Sequence, residues 1–182
     1  MSRDLTRNDW IMTASGRPFW PLAPRTEDIY IEDIAHALSQ LCRYTGHCRD
    51  FYSVAQHSLL VSRQVPPKDA MWGLLHDASE AYLHDIARPV KRLSELAAYR
   101  EAESAVMRAV CERFGLPFGE PASVRVADRR MLRTEQRDLM PPALPGEDRF
   151  DVVPYHFHVC PFEPARARKD FLDRFRELSE VR

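Results

Sequence analysis

The residues with the clearest chemical potential are two histidines and two aspartates: His57, the adjacent pair His76-Asp77, and Asp128. Two imidazoles and two carboxylates are enough to hold one divalent metal ion. Glu80 follows His76 by four positions, so on a helix it projects into the same sector as the His-Asp pair. It could reach a water beside the ion without being a ligand itself. The pattern therefore predicts a metal-dependent hydrolytic centre.

Helices must position these side chains, because the stretches that contain them have apolar residues at helical spacing. We predict helices over about 33–43, 53–65, 68–83, 94–114 and 122–140, and a last one that uses Phe171, Phe175 and Leu178. The third of these carries the His-Asp pair, and adjacent side chains on a helix diverge by about 100°. An ion over the gap between them would have both as neighbouring ligands.

The helix predicted over about 122–140 places carboxylates among core residues. Asp128 and Glu135 share one stripe with Val124, Met131 and Leu139. A carboxylate in that position must find a cation, shift its pKa or bind a metal. Asp128 is thus a candidate ligand, with an ion pair to a nearby arginine as the alternative. For Glu135 two interpretations stay open: it orients a ligand histidine, or it pairs with a buried arginine.

Length and composition limit the class of protein. A chain of 182 residues with 45% hydrophobic residues is long enough for one folded domain. A formal net charge of −1 gives no overall basic field, so we expect no stable nucleic-acid binding. No apolar run approaches the roughly 20 residues of a membrane span, and the N-terminus lacks the apolar core of a signal peptide. We therefore expect a cytoplasmic protein that binds no membrane; a homo-oligomer is compatible with the sequence.

The predicted architecture is all-α, a single-domain helical bundle over residues 1–182. Its core covers about 33–140, between an N-terminal arm (1–32) and a C-terminal extension (141–182). The extension begins with a proline-rich segment, for which we expect irregular structure or a short hairpin around Val152–Val159.

The cysteines give no sign of a disulfide framework, because they form no Cys-x-x-Cys pair. They are Cys42, Cys48, Cys111 and Cys160. A Cys/His zinc site through His47-Cys48 or through His156, His158 and Cys160 is an alternative to the His/Asp site. We favour the interpretation in which His156 and His158 face solvent or fill a contact.

The order His57, His76-Asp77, Asp128 resembles the HD superfamily of metal-dependent phosphohydrolases. More narrowly, three segments are similar to bacterial 5′-deoxynucleotidases and to phage enzymes that hydrolyse deoxynucleoside triphosphates. They are VAQHS at 54–58, HDASE at 76–80, and Asp85 followed by PVK at 89–91. The resemblance covers roughly Arg43 to Glu135 and implies an HD-type helical bundle.

The resemblance also implies a role for each matching residue. The metal ligands would be His57, His76, Asp77 and Asp128. Glu80 would orient or deprotonate the metal-bound water, and Asp85 would assist from the loop after the helix.

The substrate contacts implied by the same resemblance are Arg43, Tyr44 and Lys91. Arg43 matches a position that contacts the substrate phosphate, and Lys91 is a plausible second phosphate contact. Tyr44 stands where the deoxynucleotidases have a tryptophan beside the sugar.

Two departures from the deoxynucleotidase pattern bear on specificity. His84 occupies a position that is usually glycine, and the segment between His57 and His76 is shorter. Two-metal members of the superfamily need further histidines between the His-Asp pair and the last aspartate, and here that interval contains only His84. We expect one divalent ion, with Mn, Fe, Co, Ni or Zn fitting the mixed nitrogen and oxygen ligands better than Mg.

Three functions follow as expectations. The favoured one is hydrolysis of a 5′-(deoxy)nucleoside monophosphate to nucleoside and phosphate. The first alternative is a deoxynucleoside triphosphate triphosphohydrolase, for which a group of cations at Arg43, Arg88, Lys91 and Arg92 would argue. The second alternative is a non-catalytic metal- or nucleotide-binding module, against which Glu80 argues because a binding site needs no water-activating carboxylate.

Overall fold

Helices form most of the chain in the computed structural model, which describes residues 9–142 and 152–180. The all-α prediction is thereby confirmed. The helices are α1 (Ile31–Gln40), α2 (Val54–Ser62), α3 (Ala70–Leu75), α4 (Glu80–Leu83), α5 (Arg88–Lys91), α6 (Ala97–Arg113), α7 (Ala122–Leu139) and α8 (Pro164–Glu180). The parts of the predicted arm and extension at 1–8, 143–151 and 181–182 lie outside the described residues.

A small hairpin opens the described chain. Strands β1 (Ile11–Met12) and β2 (Pro18–Phe19) pair antiparallel. Phe19 is fully buried and stacks on Tyr82 with 3.8 Å between the ring centroids. The Asp33 carboxylate on α1 accepts hydrogen bonds from the backbone and the hydroxyl of Ser15. The arm is therefore tied to the helical core both by a buried ring and by hydrogen bonds at its turn.

Helix α2 is the central element of the domain. Eight of its nine residues are buried, and its N-terminus is capped by Ser53, whose hydroxyl accepts from the Gln56 amide. On one side α2 contacts α1, α3 and α8, where Ile34, Leu75 and Phe171 are fully buried. Helix α2 also contacts α7. His57, which α2 carries, is thus held on a rigid element.

The single helix predicted over about 68–83 is wrong. The chain instead forms a 3₁₀ turn at 67–69, then α3, a turn, and α4. The His76 ring nitrogen Nδ1 lies 2.8 Å from the Gly73 carbonyl and satisfies an acceptor at the end of α3. The next bonds are of the tighter i to i+3 type, from Ala78 to Leu75 and from Glu80 to Asp77. The His-Asp pair therefore occupies a helix junction.

Residues 152–163 are irregular and contain no strand. Of the two expectations for this segment, irregular structure is therefore the one that the described residues match. It runs along α7, where Asp138 accepts from the Val159 amide at 2.9 Å and Arg137 donates to two of its carbonyls. It then reaches α2, because the Gln56 side chain bonds to both Cys160 and Phe162.

No helix among the described residues is both long enough and apolar enough to cross a membrane.

The C-terminal helix α8 is part of the core, so its removal from the packing should be costly. We expect Phe171→Ala to lower the free energy of unfolding by about 3–5 kcal/mol, because Phe171 is fully buried against the main cluster. Phe118→Ala is the matched control, since Phe118 is 53% exposed and should change stability by less than about 1 kcal/mol. Urea unfolding of both variants tests this; equal effects would contradict it.

Candidate metal centre

Three side chains from three different elements converge on one point. The Nε2 atom of His57 on α2 lies 3.3 Å from Nε2 of His76 and 3.2 Å from Oδ1 of Asp128 on α7. One donor atom from each residue lies within 4.8 Å of the others. Two imidazole nitrogens and a carboxylate at this spacing could hold a metal ion.

Asp77 joins this group from the same turn as His76. Its Oδ2 atom lies 3.3 Å from Nε2 of His76 and 3.8 Å from Nε2 of His57. Asp77 lies in the turn of i to i+3 hydrogen bonds between α3 and α4. All four residues expected to be metal ligands therefore lie side by side.

The tautomer of His57 is set by Glu135. The Nδ1 atom of His57 lies 2.6 Å from Oε1 of Glu135, and both side chains are fully buried. A carboxylate that accepts from Nδ1–H leaves the lone pair on Nε2, the atom that faces His76 and Asp128. His57 is therefore oriented as a metal ligand requires.

Glu135 gathers further donors around its two oxygens. Tyr52 donates its hydroxyl to Oε1 at 2.8 Å. Tyr44 and Arg43 donate to Oε2 at 3.0 and 3.1 Å. Burial raises the pKa of Glu135, but Arg43 and His57 outweigh it, and the pKa lies below its ordinary value. Both interpretations of Glu135 hold at once, because it orients a histidine and pairs with a buried arginine.

His76 receives its orientation from the backbone. A carbonyl oxygen can only accept, so the bond to Gly73 keeps a hydrogen on Nδ1 of His76 and leaves Nε2 as the atom that can give up its proton and bind a metal. Gly73 allows α3 to lie close to α2. A Cβ atom there would lie 3.1 Å from the Cα atom of Ser62.

The charges of the cluster favour a bound cation. Burial lowers the pKa of His76, but Asp77 and Asp128 prevail and raise it to about 10. Burial raises the pKa of Asp128, but hydrogen bonding and attraction to His57 bring it down to about 2. The carboxylates therefore stabilise positive charge on the imidazoles. The donor types, the two tautomers and this charge pattern all fit one divalent ion.

Beside the cluster lies an open cavity of about 700 Å³. Except for the two histidines, every site residue predicted from the sequence lies in its wall. They are Arg43, Tyr44, Asp77, Glu80, Asp85, Lys91 and Asp128. A molecule in this cavity would contact the aspartates of the cluster directly.

Glu80 is the most unusual group of the cavity. Its side chain is nearly buried, and its Oε2 atom has no hydrogen-bond partner in the part of the chain that the structure describes. Burial raises the pKa of Glu80 well above its ordinary value, and the charges of Asp77 and Asp85 raise it further. Such a carboxyl can exchange a proton with a molecule in the cavity.

The two cations expected to contact phosphate are already paired. The guanidinium of Arg43 lies 3.1 Å from Glu135 and 3.6 Å from Asp77. The ammonium of Lys91 lies 2.5 Å from the Glu103 carboxylate. Arg43 thus connects Asp77 of the cluster with the buried Glu135. Lys91 is held by Glu103 of α6.

Strained backbone occurs at two places, at Tyr44 and Thr45 in the cavity wall and at His84, which precedes the wall residue Asp85. Tyr44 and Thr45 have φ angles of 56° and 54°, and the Tyr44 hydroxyl is fixed by Glu135 and by the Leu132 carbonyl. His84 has a φ of 69° and a ψ of 162°, a conformation that glycine adopts easily and other residues rarely.

Sequence reasoning missed three contributors. The Tyr52 hydroxyl and the Gly73 carbonyl carry no pattern of their own, since each acts on a group that only folding brings near. Gln136 lines the cavity, and its Oε1 atom is buried without a partner among the described residues. No sequence pattern singled it out, because it lies about 80° around α7 from Asp128, beyond the apolar stripe.

The alternative zinc site has no counterpart in residues 9–142 and 152–180. There, His57, His76 and Asp128 form the one group of His, Cys, Asp or Glu close enough for a metal. His156 and His158 lie apart from that group, and His158 bonds to Asp138 at 3.2 Å. Cys160 is exposed.

An all-α domain with a partly buried His/His/Asp cluster beside an open cavity is thus the class that fold and site define. The chain belongs to the same family as the uncharacterized protein YfdR of Escherichia coli K12. The two are 41% identical over 179 residues, which cover 95% of this chain and 97% of that protein. It is also 42% identical over 127 residues to the uncharacterized protein RCAP_rcc00048 of Rhodobacter capsulatus, covering 65% of this chain and 64% of that one. No family model matches.

The support of His57 by Glu135 can be tested by Glu135→Gln. Glutamine offers one acceptor oxygen to donors that now share two, so His57 loses its fixed orientation. We expect the affinity for Zn²⁺ or Mn²⁺ to fall about 10–100-fold, measured by competition with a chelator. Glu112→Gln, an exposed change on α6, is the control. Unchanged affinity in a folded Glu135→Gln variant would contradict this role.

Metal affinity should rise with pH. Since the pKa of His76 is raised to about 10, the metal-free protein holds a proton there at neutral pH, and an ion must displace it. We expect the apparent affinity to increase up to about tenfold per pH unit between about pH 6 and 9 for each proton released. Chelator competition across that range measures it. An affinity that does not change with pH would show that no proton is displaced.

Proposed function

We propose that this protein is a metal-dependent phosphohydrolase of the HD type, which hydrolyses 5′-(deoxy)nucleoside monophosphates to nucleoside and phosphate. The observation that carries the proposal is the convergence of four residues beside a cavity that also contains Glu80. The four are His57, His76, Asp77 and Asp128.

A divalent ion held by these four residues would neutralise phosphoryl charge and acidify water. The part of Glu80 follows from its surroundings. The negative charge of Asp77 helps to raise the pKa of Glu80. A cation bound to Asp77 would compensate that charge, lower the pKa of Glu80 and let Glu80 accept a proton. Water then attacks phosphorus, Glu80 takes its proton, and the bond from phosphorus to the 5′ oxygen breaks. The proton passes to that leaving oxygen, and Asp85 keeps negative charge beside Glu80.

Arg43 has a supporting part. Its guanidinium stabilises the ionised forms of Asp77 and Glu135 from one position. Asp77 is then available to bind the metal ion, and Glu135 is available to accept from His57.

A monophosphate suits the charges of the cavity better than a triphosphate. Four carboxylates line the wall against three cations, Arg43, Arg88 and Lys91. Arg43 and Lys91 are already paired with carboxylates, and Arg92 lies outside the wall. A triphosphate would bring more negative charge to this wall than its cations can receive. The buried acceptor oxygen of Gln136 favours a ligand with hydrogen-bond donors away from the phosphate, such as a nucleobase.

The test is a panel of nucleoside mono- and triphosphates, each incubated with metal-loaded protein and resolved by chromatography. We expect phosphate from the monophosphates. Release of triphosphate from deoxynucleoside triphosphates would establish the alternative reaction, and no hydrolysis with Mn, Fe, Co, Ni, Zn or Mg would overturn the enzyme proposal.

Glu80→Gln tests the proton transfer. We expect kcat to fall about 10²–10⁴-fold with unchanged metal content, because glutamine cannot exchange a proton. Glu112→Gln serves again as the control. Full turnover in Glu80→Gln would rule out the proposed role of Glu80.

A further inference from the structure

A substrate phosphate in the cavity needs a cation. Arg43 and Lys91 do not readily supply it, because both are already paired with carboxylates. A phosphate monoester carries negative charge that protein cations bind through charge-assisted hydrogen bonds. Arg43 is held by Glu135 and Asp77, and Lys91 by Glu103. Binding phosphate through either would mean giving up an ion pair.

Arg88 differs from both of these residues. It lines the same cavity and its side chain is exposed to solvent. Among the described residues, no carboxylate lies within ion-pair distance of its guanidinium. It is the cation of the described wall that is free to bind an anion.

Arg88 also sits on an anchored element. It is the first residue of α5, and Lys91 follows three positions later on the same face. The guanidinium of Arg100 on α6 donates to the carbonyls of Lys91 and Leu93, both at 2.7 Å. Helix α5 is thereby fixed to α6, and the Arg88 side chain extends from a held backbone.

We propose that Arg88 binds the phosphate group of the substrate. It would take the role of phosphate contact that the sequence resemblance implies for Arg43 and Lys91. This inference rests on the proposed function. A planar guanidinium offers two parallel N–H groups to two phosphate oxygens, which an ammonium cannot do. Arg88 is therefore a specificity-determining residue for a terminal phosphate.

The first experiment uses inorganic phosphate as the probe, so that it does not depend on turnover. Its affinity for the metal-loaded protein is measured by calorimetry for the wild type, Arg88→Ala, Arg88→Lys and Arg92→Ala. We expect about tenfold weaker binding in Arg88→Ala and a smaller loss in Arg88→Lys. Arg92 is the matched control: it is exposed and four residues away, but lies outside the cavity wall. Arg92→Ala should bind phosphate within about twofold of the wild type.

The second experiment separates KM from kcat with a nucleoside monophosphate. We expect Arg88→Ala to raise KM about tenfold with a smaller change in kcat, because the contact is made before and during the reaction. Equal phosphate affinity in the wild type and Arg88→Ala would overturn the inference while leaving the proposed function standing. A wild type that binds phosphate through Arg88 but hydrolyses no nucleotide would overturn the proposed function and support the inference. A wild type that binds no phosphate would overturn the inference.

Discussion

The hydrogen bond between His57 and Glu135 is the interaction on which the centre depends. Both residues are fully buried, and they come from α2 and α7, which contact each other. An ionised carboxylate in such a place is strongly unfavourable unless donors surround it. Tyr52, Tyr44 and Arg43 supply those donors, so the segment before α2 is held to α7 by the same group that orients the histidine. Support of the site and stability of the fold are therefore one set of bonds.

Much of this arrangement can be predicted from spacing. The order of residues along α7 is enough to place Asp128 and Glu135 on its apolar stripe, because helix geometry fixes which residues share a face. The predicted all-α class rests on the same periodicity and is correct. The two acidic residues on an apolar face indicate a polar site, and the fold puts His57 against both of them.

The helix junction at His76 could not be predicted by the same means. Apolar spacing continues through residues 68–83, and neither glycine nor proline marks the break near residue 77. The end of α3 depends on a side chain that takes over a backbone acceptor, which periodicity cannot register. Tyr52 was missed for a related reason, since its hydroxyl acts across 83 positions of sequence. Local pattern predicts faces, but long-range partners depend on the packed fold.

The sequence distances within the centre have a consequence for how it is made. His57 lies 19 positions from His76 and 78 from Glu135, so no short fragment contains both the ligands and their support. Contacts of such separation form only after the intervening chain has closed its loops. A growing chain therefore has no organised ion site until α7 has docked on α2. A cation bound by this cluster would stabilise only those molecules whose folding is complete.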